Sequence, residues 1–329
     1  MLFRSYVKTY LVPTFSNMYK TFKSLSLDQS DYAGYYTCTQ DSFFDKVDAN
    51  IVFNDFIDDM EMGFTTNPDK IYSFSDELNN LVSDGNLFRG TYEGAYVTYL
   101  NNAGIPIAYF GAGNNNIFTV AHEFGHFMNE IYNESQYDQS YDLLEVHSQG
   151  HESLLLAYIE QEKLFSGSVL KAASTEQMLN NLFIIVCALQ VDTFEQAIYL
   201  DYYDGYGSEE IMADGTITYD EYQTLYEYIA EDFGIAEEYQ NNEYWRHGMT
   251  ITSPCYYVSY SVSAVNALQI YMMASTDGLD TAKDSYLKLI TYTDVDPSYD
   301  MNQVLEYAGL ASYMDEELYK DLAEFFATK

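Results

Sequence analysis

The sequence predicts a mainly α-helical protein carrying one small β-sheet. Apolar residues recur at helical spacing over most of the chain, whereas only two short stretches, about a third of the way along, read as strands. Five prolines in 329 residues leave long segments free of the residue that most disrupts a helix. A hydrophobic content of 47% supplies enough apolar surface for a large core.

Helical periodicity places helices over 12–25, 53–62 and 75–82, then over a segment around 117–131, and next over 143–163 and 175–200. Further helices are predicted over 219–233, 255–273 and 314–326. The strand signal is Ile105-Pro106-Ile107-Ala108-Tyr109-Phe110, with 91–100 as its partner and Gly111-Ala112-Gly113 closing it. Pro106 has no N–H to give a ladder, which predicts an edge strand, either a short structural hairpin or an edge that an extended peptide can pair with. Asn114 to Asn116 offer N-caps for the helix that follows. No linker divides the chain, so one domain is expected over 1–329, with a core at about 90–165 and a helical part at about 175–329. Most of the 35 tyrosines read as half-buried packing residues with a polar tip.

Charge excludes several functions. Fourteen Lys+Arg against 51 Asp+Glu give a formal charge of −37, which repels nucleic acid and anionic membranes. Cys38, Cys187 and Cys255 are odd in number and widely spaced, so no disulfide framework is expected and a reducing compartment fits. The first residues lack an apolar secretory core, and no run reaches the roughly 18–20 apolar residues that cross a bilayer. The expectation is a cytoplasmic protein, exported only if an upstream signal was lost. The run Ala213-Asp214-Gly215-Thr216-Ile217 mimics half of a calcium loop, but Glu210 and Met212 would fill the first two metal positions and Met cannot serve a hard cation. It reads as a turn, with Thr218 capping the next helix.

The chemistry lies in His122-Glu123-Phe124-Gly125-His126, in a chain with only five histidines. Histidines at i and i+4 share a helix face and suit one zinc ion, and Glu123 at the rim of that face can take a proton from water that the metal acidifies. A third ligand is expected from 143–155, where Glu145, Ser148, Gln149 and Glu152 form one helical stripe. Glu145 is the choice, with Glu152 placed to accept a hydrogen bond from a ligating histidine. His147 and His151, again at i, i+4, compete as donors, but they lie off that stripe and read as surface or substrate-side groups. Farther on, His247 and the tyrosines of Cys255-Tyr256-Tyr257-Val258-Ser259-Tyr260 bring together donor types that can stabilise an oxyanion, although on the residues alone His247 reads equally as an ordinary loop histidine.

The run Phe118 to His126, then Glu145 to Glu152, then His247 to Tyr260 resembles the M3 family of zinc oligopeptidases, oligoendopeptidase F in particular. Weaker similarity at 11–28, 94–96 and 214–234 extends this over nearly the whole chain. The resemblance implies a zincin-like catalytic domain, one Zn2+ held by His122, His126 and Glu145, Glu123 as base, and His247, Tyr256 and Tyr257 as transition-state donors. Tyr256, Tyr257 and Tyr260 can be matched to the family pattern in more than one way. The implied activity is endopeptidase cleavage of short peptides. His147 stands where the family has a small residue or proline, and the interval from His122 to Glu145 is short. Members of the family are longer by an amino-terminal helical region that roofs the cleft and limits peptide size. By this resemblance the chain is expected to hold the catalytic half without that lid, and the alternative is an impaired peptide-binding module or one half of a split or truncated enzyme.

Overall fold

The computed structural model describes residues 2–28, 35–36, 43–44, 47–61, 73–83, 85–113, 115–133, 140–199, 218–235, 244–246, 250 and 252–329. The chain forms two compact units interleaved in sequence, the first from 1–23, 178–265 and 313–329, the second from 24–177 and 266–312. The boundaries at 177/178 and 265/266 fall inside helices, which is why no linker composition marks them.

The first unit opens with α1 (Leu2–Tyr6), a π-helical turn (Val7–Leu11) and α2 (Val12–Ser24). The predicted helix thus begins ten residues earlier than expected, and Pro13 explains its irregularity. Proline removes one i→i−4 bond and crowds the preceding turn, and the chain widens there, with Val12 N–H donating to Val7 O five residues back.

In the second unit α3 (Val47–Met60) and α4 (Phe74–Ser83) precede β1 (Leu87–Arg89), β2 (Ala95–Leu100) and β3 (Ile105–Phe110). The strand order is β1-β3-β2, with β1 parallel and β2 antiparallel to β3. This corrects the expectation that Pro106 marks an edge strand, because β3 is central. Ala108 N–H donates to Asn86 O on the β1 side at 2.9 Å. Pro106 aims its nitrogen the same way two residues earlier, beyond the end of β1, which pairs no further back than Ala108. The ladder therefore loses nothing. Among the described residues the long open edge belongs to β2. Gly111 N–H bonds Gly94 O at 2.8 Å, and alternation from that pair turns the N–H and C=O groups of Ala95, Val97 and Tyr99 outward.

Next come α5 (Ile117–Tyr132) and α6 (Tyr141–Gln161), then α7 (Gly167–Tyr199) and α8 (Tyr219–Phe233). They are followed by α9 (Tyr257–Thr276), α10 (Leu279–Ile290), α11 (Met301–Ala308) and α12 (Glu316–Ala327). Thr218 caps α8 as expected, in a reciprocal box with Glu221. The calcium-like run at 210–217 lies outside the described residues. Helix α7 is the one described helix long and apolar enough to cross a membrane, contrary to the expectation that no segment reaches that length. Its apolar window is 72% buried, as in the core helix of a globular fold.

Candidate metal centre

Two helices build the centre. Asn116 starts α5 by accepting hydrogen bonds from Phe118 N–H and Thr119 N–H, both at 2.9 Å, so the His122-to-His126 turn follows a fixed first turn. Ser140 does the same for α6 through Asp142 N–H at 3.2 Å. Helix α5 packs on β2, β3 and α6. Gly125 lies against the α6 backbone, and a Cβ there would lie 2.7 Å from His147 O and 2.8 Å from Ser148 Cα. Backbone cannot yield as a side-chain tip does, so Gly125→Ala should part the helices and destabilise the protein by about 1–3 kcal/mol. Urea unfolding of the apo protein measures this, and an unchanged midpoint would show that the helices tolerate the methyl group.

His147 and His151 are not surface or substrate-side groups. Both are 0% exposed on the α6 face turned into the core. His147 Nε2–H donates to Leu289 O at 3.2 Å, and His151 Nδ1–H donates to Ala121 O at 2.8 Å, the carbonyl just before His122. Rings of Phe53, Phe56, Phe74, Phe124 and Tyr286 surround His151 at 5.0–6.3 Å. Burial disfavours the imidazolium and lowers the His151 pKa to about 4, while the bond to Ala121 O only partly opposes it. Above the unfolded value of about 6.5 its contribution to stability is fully present, and between there and about 4 each pH unit removes about 1.4 kcal/mol. Urea unfolding at pH 7 and pH 5 should show a smaller pH loss in His151→Gln than in the wild type, and equal losses would contradict the buried neutral state.

The structure brings His122, His126 and Glu145 together. Glu145 Oε2 lies 3.5 Å from His122 Nε2 and 3.5 Å from His126 Nε2, and the three ligand atoms fall within 4.8 Å of one another. Ligands at about 2.0–2.2 Å from one four-coordinate ion stand about 3.3–3.6 Å apart, a spacing that both Glu145–histidine pairs meet. Two imidazoles and a carboxylate suit a first-row transition ion better than magnesium or calcium.

The neighbouring carboxylates divide the remaining work. His122 Nδ1–H donates to Glu152 Oε1 at 2.6 Å, which makes Nε2, on the side of the ligand cluster, the nitrogen available to a metal. Gln177 Nε2–H donates to the other Glu152 oxygen at 2.5 Å, and Ser148 Oγ–H donates to Glu145 O at 3.1 Å and Oε2 at 3.3 Å. Burial disfavours a charged His122, yet the Glu152 bond and the charges of Glu152, Glu123 and Glu145 outweigh it and hold the imidazolium up to about 10. These carboxylates make a strong pull for any cation.

Glu123 is 4% exposed, and its Oε2 has no hydrogen-bond partner. Burial raises its pKa above the ordinary carboxylate range, with the two imidazoles pulling it back. A buried orphan oxygen is costly in a finished core and is what a base awaiting a proton presents. Ser148 was legible on the Glu145 stripe, but Gln177, on another helix, had no local signal.

The oxyanion candidates belong to the first unit. Tyr256 and Tyr260 are half-buried with ring centroids 5.2 Å apart, and Tyr257 is 4% exposed. His247 lies outside the described residues.

No protein-family profile and no curated protein matches the sequence. Solved structures match the fold. An assigned oligoendopeptidase F from Bacillus anthracis str. Ames superposes with a TM-score of 0.68 at 16% identity, covering 99% of this chain and 54% of that one. PZ peptidase A, solved with an inhibitor, gives 0.72 at 15% identity, over 99% of this chain and 58% of that one. A second assigned oligoendopeptidase F gives 0.73 at 18% identity, over 99% and 56%. The mainly α fold with its small sheet is therefore that of a little over half of an oligoendopeptidase F chain, the fold that the M3 resemblance implied.

Proposed function

We propose that this chain, with the oligoendopeptidase F fold, is a zinc-dependent endopeptidase acting on short peptides. One observation carries the reading: the unpartnered buried oxygen of Glu123 stands beside a His-His-Glu donor set whose ligand atoms lie within 4.8 Å of one another. His122, His126 and Glu145 would hold the ion, and the donor chemistry fits it. Zinc supplies a Lewis acid that polarises the peptide carbonyl and makes water acidic near neutral pH. Glu123 takes the proton from the attacking water and delivers it to the departing amine. Glu152 holds His122 in the tautomer that leaves Nε2 free for the metal. The donors to the developing oxyanion are assigned to Tyr256, Tyr257 and His247. The outward N–H and C=O groups of Ala95, Val97 and Tyr99 are the assigned pairing edge for an extended peptide, a mode that reads main chain and so gives broad sequence tolerance.

The test is cleavage of an internally quenched peptide by the purified chain, abolished by a chelator and restored by one equivalent of zinc. Cleavage that survives complete metal removal would end the proposal. The 54–58% coverage of the structural neighbours favours a second reading, a half-chain that needs further polypeptide for turnover. Zinc and peptide binding without cleavage selects it.

A further inference from the structure

Outside the metal centre, one buried acid has a single hydrogen-bonding task. Glu195, near the end of α7, is 0% exposed. Its Oε2 accepts from Cys255 N–H at 3.1 Å, and its Oε1, equally buried, makes no hydrogen bond. Asp192, one turn earlier, is engaged with Gln196 Nε2–H at 2.7 Å. One turn later, Tyr199 donates to Thr250 O at 3.2 Å. Helix α7 thus holds the chain ahead of α9 by its backbone at two points, Thr250 and Cys255.

Cys255 needs such a hold. Its φ of +64° is one of two positive values at non-glycine residues among those described, a region that a side chain with a Cβ enters only when its surroundings impose it. The residue stands where the chain changes direction: Tyr256 N–H closes a turn on Ser253 O at 3.2 Å, Ser259 N–H bonds Tyr256 O at 3.0 Å, and Tyr257 begins α9. An apolar side chain at 195 would fill the space without burying a carboxyl. The acid is poorly solvated there: burial pushes its pKa up to about 7, Cys255 N–H pulls it back, and Asp192 adds to the rise.

We propose that Glu195 is a positioning residue whose carboxyl latches Cys255 in its left-handed turn and so sets the direction of the Tyr256 and Tyr260 hydroxyls. The inference rests on the assignment of oxyanion donors to that tyrosine segment. The latch acts through Cys255 and touches no reacting atom.

Two readouts test it on the full chain: amide hydrogen exchange over 253–258, which needs no activity, and peptide-cleavage kinetics. Glu195→Ala should speed exchange of the Cys255 amide by about tenfold or more. It should also lower kcat by about tenfold with KM unchanged, since oxyanion donors act in the transition state. Glu195→Gln, whose carbonyl oxygen can accept the same N–H, should keep both protection and kcat. Cys255→Gly added to Glu195→Ala should recover most of the kcat, because glycine holds the left-handed turn without help. If the alanine variant unfolds, Glu195→Leu, which fills the space without an acceptor, carries the same expectations. Unchanged exchange in the alanine or leucine variant overturns the latch, as does lost protection with wild-type kcat or a tenfold kcat loss in Glu195→Gln. If the wild type cleaves no peptide, the peptidase reading fails while the exchange result still decides the latch.

Discussion

Glu123→Gln should retain the metal and lose about 10²–10⁴-fold in kcat, the range over which a positioned general base contributes. The side chain is nearly isosteric, so packing around Phe124 and the α5–α6 contact stays intact. The amide cannot take a proton from water at neutral pH, and the lost function is therefore chemical. Its own effect on stability should be small or favourable, because a carboxyl with a buried unpaired oxygen is replaced by a neutral group. Zinc content by elemental analysis, thermal unfolding and cleavage of the quenched peptide separate these effects. Zinc retained with wild-type turnover would remove Glu123 from the mechanism. Zinc lost with turnover would mean that the variant disturbs the ligands and says nothing specific about a base.

How much of this was legible in the sequence depended on whether the signal was local. The histidine pair, the Asn116 cap and the Glu145 stripe are all encoded within a few helical turns, where 3.6-residue periodicity fixes which side chains share a face. Glu152 was legible for the same reason. The strand over 105–110 was found, but its place in the sheet was not. Pro106 reports only that one N–H is absent, and whether that matters depends on where β1 ends, a long-range fact. β1 itself, Leu87–Arg89, is too short to show alternation, and α11 has only eight residues. α10 carries an apolar stripe through Leu279, Ala282, Tyr286 and Ile290 that periodicity could have found, but Asp280, Lys283 and Ser285 diluted it, and two of those three are buried.

The burial of His147 and His151 was the larger surprise, and it follows from how α6 is used. Polar residues on one stripe suggested that the histidines beside it faced water. In the structure α6 is surrounded: it packs against α3, α5 and α10, and its buried residues run almost unbroken from Leu143 to Ile159. A helix buried on most of its circumference has no amphipathic pattern to read. The neutral histidines then serve as carbonyl-bonded spacers. Their spare nitrogens remain unpartnered in the core, remote in role from metal binding.

Replacing Glu145 and Glu152 separately should give graded losses that distinguish a ligand from its support. Glu145→Ala leaves two histidines on one helix and removes the only donor from α6, so zinc would no longer tie α5 to α6. The affinity loss should exceed the 10–100-fold expected for an orienting partner, and the zinc-induced rise in unfolding temperature should vanish with it. Glu152→Gln keeps an oxygen that can accept from His122 Nδ1–H but removes its charge, which opposes zinc less than loss of a ligand does. An affinity loss of about 10–100-fold, or about 1.4–2.7 kcal/mol, is expected there. Competition against a chromophoric chelator measures both. The order is the informative result. Equal and small losses would mean that His122 and His126 bind the ion without α6. A larger loss for Glu152 than for Glu145 would make Glu152 the ligand, and the 2.6 Å bond to His122 would then report a contact that the metal breaks.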